Sequence, residues 1–303
     1  MKHKKILITG GAGFIGSNLA LTLQKKYPDN DYFVINNFSS ANSNNLTEFK
    51  GKIISADISK LNLSQYFDKI DVIFHYAAIT DTTLTDLNKM MSNNTEGFKK
   101  VLRFAIKSKA KLIYASSASV YGPSKNPMKV GENEIPTNIY AASKLVIDNI
   151  ARKYFDTLPI IGLRCFNVYG PKEGYKGKNA SIIWQLYSQM KEGKRPRVFK
   201  YGEQKRDHVY IKDVVKANLL AIECPKSGIF NVGSGKAVSF NEIIKILNEM
   251  LGTNLEPEYI DNPFKNYQEY TEADLTETNK ILKYVPTYDI KKGIKDYLRN
   301  LTP

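Results

Sequence analysis

The stretch Ile6-Leu-Ile-Thr-Gly-Gly-Ala-Gly-Phe-Ile-Gly16 decides how the chain must fold. Its apolar head, Ile6 to Ile8, predicts a short buried strand. Gly10, Gly13 and Gly16 follow at intervals of three, and Phe14, Ile15, Leu19 and Leu23 then open a helical spacing. A strand that passes through a glycine turn into a helix gathers free N–H groups and the positive end of the helix dipole at one point, which suits a pyrophosphate. The three glycines serve a tight turn, close backbone approach to the phosphates, and helix-on-strand contact. Glycine turns without ligands are common, but the strand before this one and the helix after it are the context a dinucleotide site requires.

Outward from the turn, strands and helices alternate. Tyr32 to Ile35 predicts a second strand ending at Asn36-Asn37. A dinucleotide fold usually places an acid there for the ribose 2′-hydroxyl. Asn36 lacks the carboxylate that would repel a 2′-phosphate, so NADP is the expected cofactor and NAD stays open. Ser39 to Asn45, rich in Ser and Asn, reads as a surface loop. A third strand, Ile53 to Ala56, ends at Asp57, which either faces the adenine or caps the next turn. Asp71 to Ala78 predicts a fourth strand whose small Ala77 and Ala78 let a cofactor lie close to the backbone. A helix over Asn88 to Ser108 carries Asn93-Asn94 near its start, and Lys111 to Ala115 predicts a fifth strand. This order predicts an α/β fold, a Rossmann-type doubly wound, mostly parallel sheet with ligands at the carboxyl ends of its strands. Residues 1–170 are expected to form the dinucleotide-binding domain, and residues 171–303 a smaller α/β substrate domain, with some segments crossing back. The helices predicted at Ser239 to Leu251 and Ile290 to Leu301 have core spacing and carry no chemistry.

Composition sets the outer limits. At 303 residues the chain holds ample core, and its hydrophobic fraction of 42% is ordinary for a soluble protein. No apolar stretch is long enough to cross a bilayer, and Met1-Lys-His-Lys-Lys5 leads into a strand rather than a signal peptide. Two cysteines, Cys165 and Cys224, offer neither a disulfide framework nor metal-ligand spacing, so no metal and a reducing, cytoplasmic setting are expected. The net charge of +14 is spread over single and paired lysines. That reads as a solvated basic surface able to draw in an anionic nucleotide, and not as a nucleic-acid site.

The chemistry begins at the end of the fifth strand. Ser116-Ser117-Ala118 sits where a hydroxyl would meet a substrate in the sheet crevice. Tyr140-Ala-Ala-Ser-Lys144 opens a helix running to about Asp156, and its i, i+4 spacing puts the phenol and the ammonium on one face. A phenol titrates near ~10, so a neighbouring cation is needed to favour its phenolate. Tyr140 can then exchange a proton with an alcohol while Ser117 polarises the same oxygen and Lys144 also bonds a nicotinamide ribose. A lone Tyr-x-x-x-Lys is usually an ordinary amphipathic helix; with the glycine turn and Ser116-Ser117-Ala118 in order, it reads as a catalytic set.

Gly10 to Gly16, Ser116-Ser-Ala-Ser-Val-Tyr-Gly122, Tyr140-Ala-Ala-Ser-Lys144, Phe166-Asn-Val-Tyr-Gly-Pro171 and Lys205-Arg-Asp-His-Val-Tyr-Ile-Lys-Asp-Val214 resemble the nucleotide-sugar branch of the extended short-chain dehydrogenase/reductase superfamily. Dehydratases of that branch carry an Asp-Glu pair where this chain has Ser117-Ala118, which argues against dehydration. Within the branch, Asp81-Thr-Thr83, Met90 to Asn94, Phe166 to Ser181 and Tyr267 to Leu275 are most similar to the ADP-glyceromanno-heptose 6-epimerase family. That resemblance implies a second acid/base, Lys176; on residue type alone, Lys176 reads rather as one more surface lysine, in the loop Gly174 to Gly177. It implies epimerisation of the heptose at C6 through a ketone, as a lipopolysaccharide precursor, with a UDP-hexose 4-epimerase as the alternative. It also implies that Phe14, Ile15, Ile58, Tyr76, Asn93 and Val168 join the cofactor site, and that the cofactor is tightly bound. On the substrate side it implies Asn167, Lys178 and Gln185 around the sugar. Phe199, Lys200 and Arg206 would meet the nucleotide diphosphate, and Tyr267 a phosphate or sugar oxygen. Arg206 has a structural reading as well, an ion pair with Asp207 or Asp213. Relatives of this kind assemble as homo-oligomers, which is the expectation here.

Overall fold

The computed structural model describes residues 2–262 and 268–301. The chain leads with β1 (Lys5–Thr9), α1 (Phe14–Lys26), β2 (Asp31–Asn36), β3 (Lys52–Ser55) and β4 (Val72–His75). It continues through α2 (Leu87–Met91), α3 (Gly97–Ser108), β5 (Lys111–Ser117), α4 (Ile139–Arg152) and β6 (Ile160–Cys165). These strands, joined by β10 (Gly228–Val232) from far along the chain, form a sheet in the order β10-β6-β5-β4-β1-β2-β3, every pair parallel.

Parallel strands need cover on both faces, and the sequence supplies it as unbroken apolar runs. Ile6, Leu7 and Ile8 are each fully buried. Ile6 and Ile8 point, with Val34, Phe74 and Ile113, toward α1 and toward α6 (Ile211–Glu223). Leu7, with Ile35, Ile73 and Leu112, points the other way onto α3 and α4. The strand order reverses between β1 and β4, since the chain runs outward through β2 and β3 before returning to β4. The crevice that opens at that reversal, at the strands' carboxyl ends, is where such sheets hold ligands.

The second half adds β7 (Asn167–Tyr169), α5 (Ile182–Lys191), β8 (Arg197–Phe199) and β9 (Lys205–Tyr210). Beyond α6 and β10 come β11 (Ala237–Ser239), α7 (Phe240–Leu251), β12 (Glu258–Ile260), α8 (Thr276–Leu282) and α9 (Ile290–Arg299). β9 lies between β11, antiparallel, and β7, parallel, while β8 pairs with β12. The two helices expected to pack do so: α7 buries Ile243, Ile244 and Leu247, and α9 buries Ile294 and Tyr297.

Two departures from the sequence reading bear on the site. β4 stops at His75 instead of reaching Ala78, because the glycine turn crosses the backbone at Tyr76 and Ala77 and occupies the space a further strand residue would need. The single helix expected over Asn88 to Ser108 is interrupted by a wider π-type turn, Ser92–Glu96. The extra residue turns Asn94 inward, where its Oδ1 accepts from the Ile79 N–H at 2.8 Å and its Nδ2 donates to the Ile79 carbonyl at 3.0 Å and to Ser143 Oγ at 3.0 Å. One buried amide thus ties the loop after β4 to the helix that carries Tyr140. Such bulges recur at functional sites.

Candidate active site

The glycine turn is built to a tolerance that admits no side chain. Gly10 has φ +68°, and a Cβ there would lie 2.5 Å from the Ala77 nitrogen. A Cβ at Gly16 would strike the Gly10 carbonyl oxygen. The Gly13 N–H donates to Gly10 O at 3.0 Å, and α1 starts at Phe14 with no side chain capping it from Gly13. Asn45, expected at the end of a surface loop, is instead buried and braces the glycine turn by donating to Ala12 O at 3.0 Å. A backbone cradle that a Cβ would fill, set at a helix N-terminus, fits a dinucleotide's pyrophosphate.

The other residues expected at the cofactor stand around this crevice in different ways. Asn36 is buried at the end of β2. Asn37 spends its carbonyl oxygen on the Ser39 N–H and hydroxyl, at 3.2 and 2.9 Å. Asp57 takes the capping role left open above, accepting from the Ser59 N–H at 2.9 Å and its hydroxyl at 2.7 Å. Ile58 turns its side chain into the core. Tyr76 donates its hydroxyl proton to Asn218 Oδ1 at 2.7 Å, and the Ala77 N–H donates to Thr9 Oγ1 at 3.3 Å. Ile15, Ala78, Asn93 and Val168 are half-buried.

Ser117, Tyr140 and Lys144 come together. β5 runs two residues further than expected, so Ser117 ends the strand opposite Cys165 of β6. Asn138 caps α4 by accepting from the Ala141 N–H at 2.9 Å, which fixes where the helix, and with it Tyr140, begins. Ser117 lies near enough to the Tyr140 phenol to act on its pKa, and its Oγ accepts from the Ser119 N–H at 3.2 Å and hydroxyl at 2.9 Å. The Lys144 Nζ lies 5.9 Å from the centre of the Tyr140 ring and donates to Ala115 O at 2.8 Å. Burial pushes the Tyr140 phenol up to about 12, Ser117 pulling the other way. Burial also takes Lys144 down to about 8, against the carboxylate of Asp148 and Cys165. The sequence reading had Lys144 lowering the phenol. Here desolvation prevails, and the ammonium is directed at the Ala115 carbonyl. Cys165, its thiol raised by burial to about 12, stays neutral.

Beneath this cluster lies a layer that the sequence reading missed. Asp148, one further step of four along α4, is fully buried and accepts from Tyr114 Oη at 2.9 Å, Ser116 Oγ at 2.9 Å and Arg164 Nε at 2.9 Å. Arg164 Nη2 also lies 2.8 Å from both Asp148 Oδ2 and Glu134 Oε1. The signal was present: Tyr140, Lys144 and Asp148 share one helix face at i, i+4 and i+8.

Lys176 stands apart from that cluster, on a loop that folds back over the glycine turn. Its Nζ lies 5.7 Å from the centre of the Phe14 ring. Burial lowers the lysine's pKa, with Glu173 acting against it. Desolvation does the lowering, and the charge that Lys176 feels is a carboxylate.

With this geometry in place, residues 6–233 match the NAD dependent epimerase/dehydratase family. The chain belongs to that family. It is 40% identical to an ADP-L-glycero-D-manno-heptose-6-epimerase from Brachyspira hyodysenteriae, across 96% of each chain. The crystal structure of the Helicobacter pylori ADP-L-glycero-D-manno-heptose-6-epimerase is similar at a TM-score of 0.94 and 43% identity, covering 99% of this chain and 96% of that one. A Bacillus cereus UDP-glucuronic acid 4-epimerase variant, in complex with UDP-4-deoxy-4-fluoro-glucuronic acid and NAD, has a TM-score of 0.88 at 28% identity, covering 98% and 99%.

On the substrate side of this epimerase/dehydratase chain, several expected ligands are engaged with the protein itself. Asn167 Nδ2 donates to Asp207 O at 3.1 Å and to Thr271 Oγ1 at 3.3 Å. Gln185 Nε2 donates to the Lys178 and Ala180 carbonyls at 3.2 and 2.8 Å, so that side chain braces the Lys176 loop. Lys178 is exposed, and Lys200 pairs with Asp261 at 2.5 Å. Phe199 is half-buried at the end of β8. Arg206 is buried and donates to Lys205 O at 3.0 Å. The two carboxylates proposed as its partners are occupied elsewhere. Asp207 accepts from the Ser234, Gly235 and Ala273 N–H groups, and Asp213 from those of Thr287 and Tyr288. Tyr267 lies outside the described residues.

Proposed function

We propose that the chain interconverts ADP-D-glycero-D-manno-heptose and ADP-L-glycero-D-manno-heptose by oxidising C6 and reducing it again from the other face. The observation that carries this reading is the pairing of the Ser117–Tyr140–Lys144 cluster, half-buried at Ser117 and Tyr140 and buried at Lys144, with a second ionisable group, Lys176, whose proton is loosened by desolvation on a loop over the dinucleotide turn. The identities of 40% and 43% to heptose 6-epimerases support the same substrate.

A reaction that removes hydride from one face and restores it to the other needs a proton partner for the sugar oxygen on each side. A dinucleotide held at the glycine turn would supply the hydride acceptor. Ser117 holds the oxygen. Tyr140 carries the proton on one side, with Ser117 acting against the desolvation that raises its phenol. Lys176 carries the proton on the other side; its lowered pKa eases the loss of that proton near neutral pH. Asn36, uncharged and buried beside the ribose position, favours NADP, with NAD as the alternative, and the cofactor is retained between turnovers.

The test is proton NMR of the purified protein with ADP-D-glycero-D-manno-heptose and no added cofactor. Conversion to the L-glycero epimer is expected. No conversion, even with NADP and NAD supplied, together with turnover of UDP-glucose, would overturn the reading in favour of a hexose 4-epimerase.

A further inference from the structure

The Lys176 loop is pinned at both ends by one carboxylate. Glu173 is fully buried and accepts from the Gly170 N–H at 3.0 Å, the Ser181 N–H at 2.6 Å and the Ser181 hydroxyl at 2.9 Å. Between those ends, three contacts converge on Phe14, the first residue of α1. Asn18 Nδ2 bridges the Phe14 and Pro171 carbonyls at 2.9 and 3.0 Å. The Lys176 ammonium lies over the Phe14 ring. The Tyr175 hydroxyl accepts the Phe14 N–H at 3.0 Å.

That N–H belongs to the first turn of α1, where amides have no partner within the helix and would face an anion. A phenol that accepts it keeps its own proton to give, and among the described residues no acceptor for that proton is present. Immediately beyond Lys176, Gly177 has φ +53° and ψ −120°, a backbone state open to glycine, and a Cβ there would meet nothing within 4 Å. Gly177 thus lets the loop turn at this point while Glu173 holds its ends.

We propose that Tyr175 is a positioning residue that latches the Lys176 loop onto the bound dinucleotide. The phenol rests on the Phe14 N–H and donates its own proton to a phosphate oxygen. The same side chain thus slows cofactor loss and holds Lys176 over the sugar. This rests on the reading of the glycine turn as the dinucleotide site.

The experiment uses the full chain and Tyr175→Phe, each loaded with NADPH. Cofactor release is followed by fluorescence on dilution, and acetylation of Lys176 by acetic anhydride is measured by peptide mass spectrometry with and without NADPH. In the parent chain NADPH should protect Lys176. In Tyr175→Phe release should be about tenfold faster or more, the size expected for one hydrogen bond to a charged group, and the protection should vanish. An unchanged release rate with unchanged protection overturns the latch. If Tyr175→Phe folds poorly by thermal melting without cofactor, Tyr175→Gln and Tyr175→Leu replace it. Slower release from the glutamine variant supports the latch, and equal release overturns it. A parent chain that binds neither NADPH nor NADH overturns the assignment of the turn itself, a result distinct from failure of the latch alone.

Discussion

The two groups proposed to carry protons in this site are held in opposite ways. Tyr140 stands on a capped helix, against a strand end, above the fully buried Asp148–Arg164 pair. Lys176 stands on a loop of short turns, beside the positive-φ Gly177, with its ammonium over the first residue of α1. The first arrangement is complete as soon as the sheet forms. The second is complete only when the loop lies on the turn. One proton partner is part of the scaffold, and the other is delivered to it.

That contrast can be broken or sharpened by substitution. The largest effects belong to the reaction: Tyr140→Phe and Lys176→Ala should each lower heptose turnover by about 10²–10⁴-fold, measured by NMR. Lys176→Ala with unimpaired heptose turnover would remove the delivered base from the scheme. The next effect separates scaffold from loop. Asp148→Ala leaves Arg164 buried without its main partner and should cost about 3–5 kcal/mol of stability in urea unfolding. Lys176→Met, on the loop, should cost less than about 1 kcal/mol. Comparable losses in the two variants would erase the distinction.

The smallest effect is a pH dependence. Burial holds Lys144 at about 8, below the ordinary lysine value of 10.5. Below about pH 8 both the folded and unfolded chains bind this proton, and the cost of burying the charge is fully present. Between about 8 and 10.5 the unfolded chain binds more protons, so this group's contribution to stability rises with pH. Lys144→Met removes that rise. Its stability relative to the parent should be greatest near about pH 7 and should shrink by about pH 9.5, as read from urea midpoints. A constant difference would place the Lys144 charge in water instead of in the scaffold.

How far the sequence could be read follows the same division. Strands buried on both faces announce themselves as apolar runs, and Ile6 to Ile8, Tyr32 to Ile35 and Lys111 to Ala115 each fall within an observed strand. The Tyr140–Lys144 pair was visible because helical spacing alone puts both on one face. What escaped depends on contacts between distant segments. The π-type turn at Ser92–Glu96 has no local signature, since its stability comes from Asn94 reaching Ile79 and Ser143. Tyr175 meets Phe14 across 161 residues, more than half of the chain. That a carboxylate faces Lys176 depends on how Glu173 folds under the loop.

The return of β10 to the main sheet has a consequence for the order of synthesis. β6 pairs along one side with β5 and along the other with β10, which is encoded well after it. While the intervening segments leave the ribosome, the Ile160–Cys165 backbone is an open edge, apolar and unpaired on one side. The nascent protein therefore carries one edge of β6 uncovered through the making of β7, β8 and β9. Only when Gly228–Val232 emerges and docks is that edge closed, so the last strand of the nucleotide-binding sheet waits on residues from the far half of the chain.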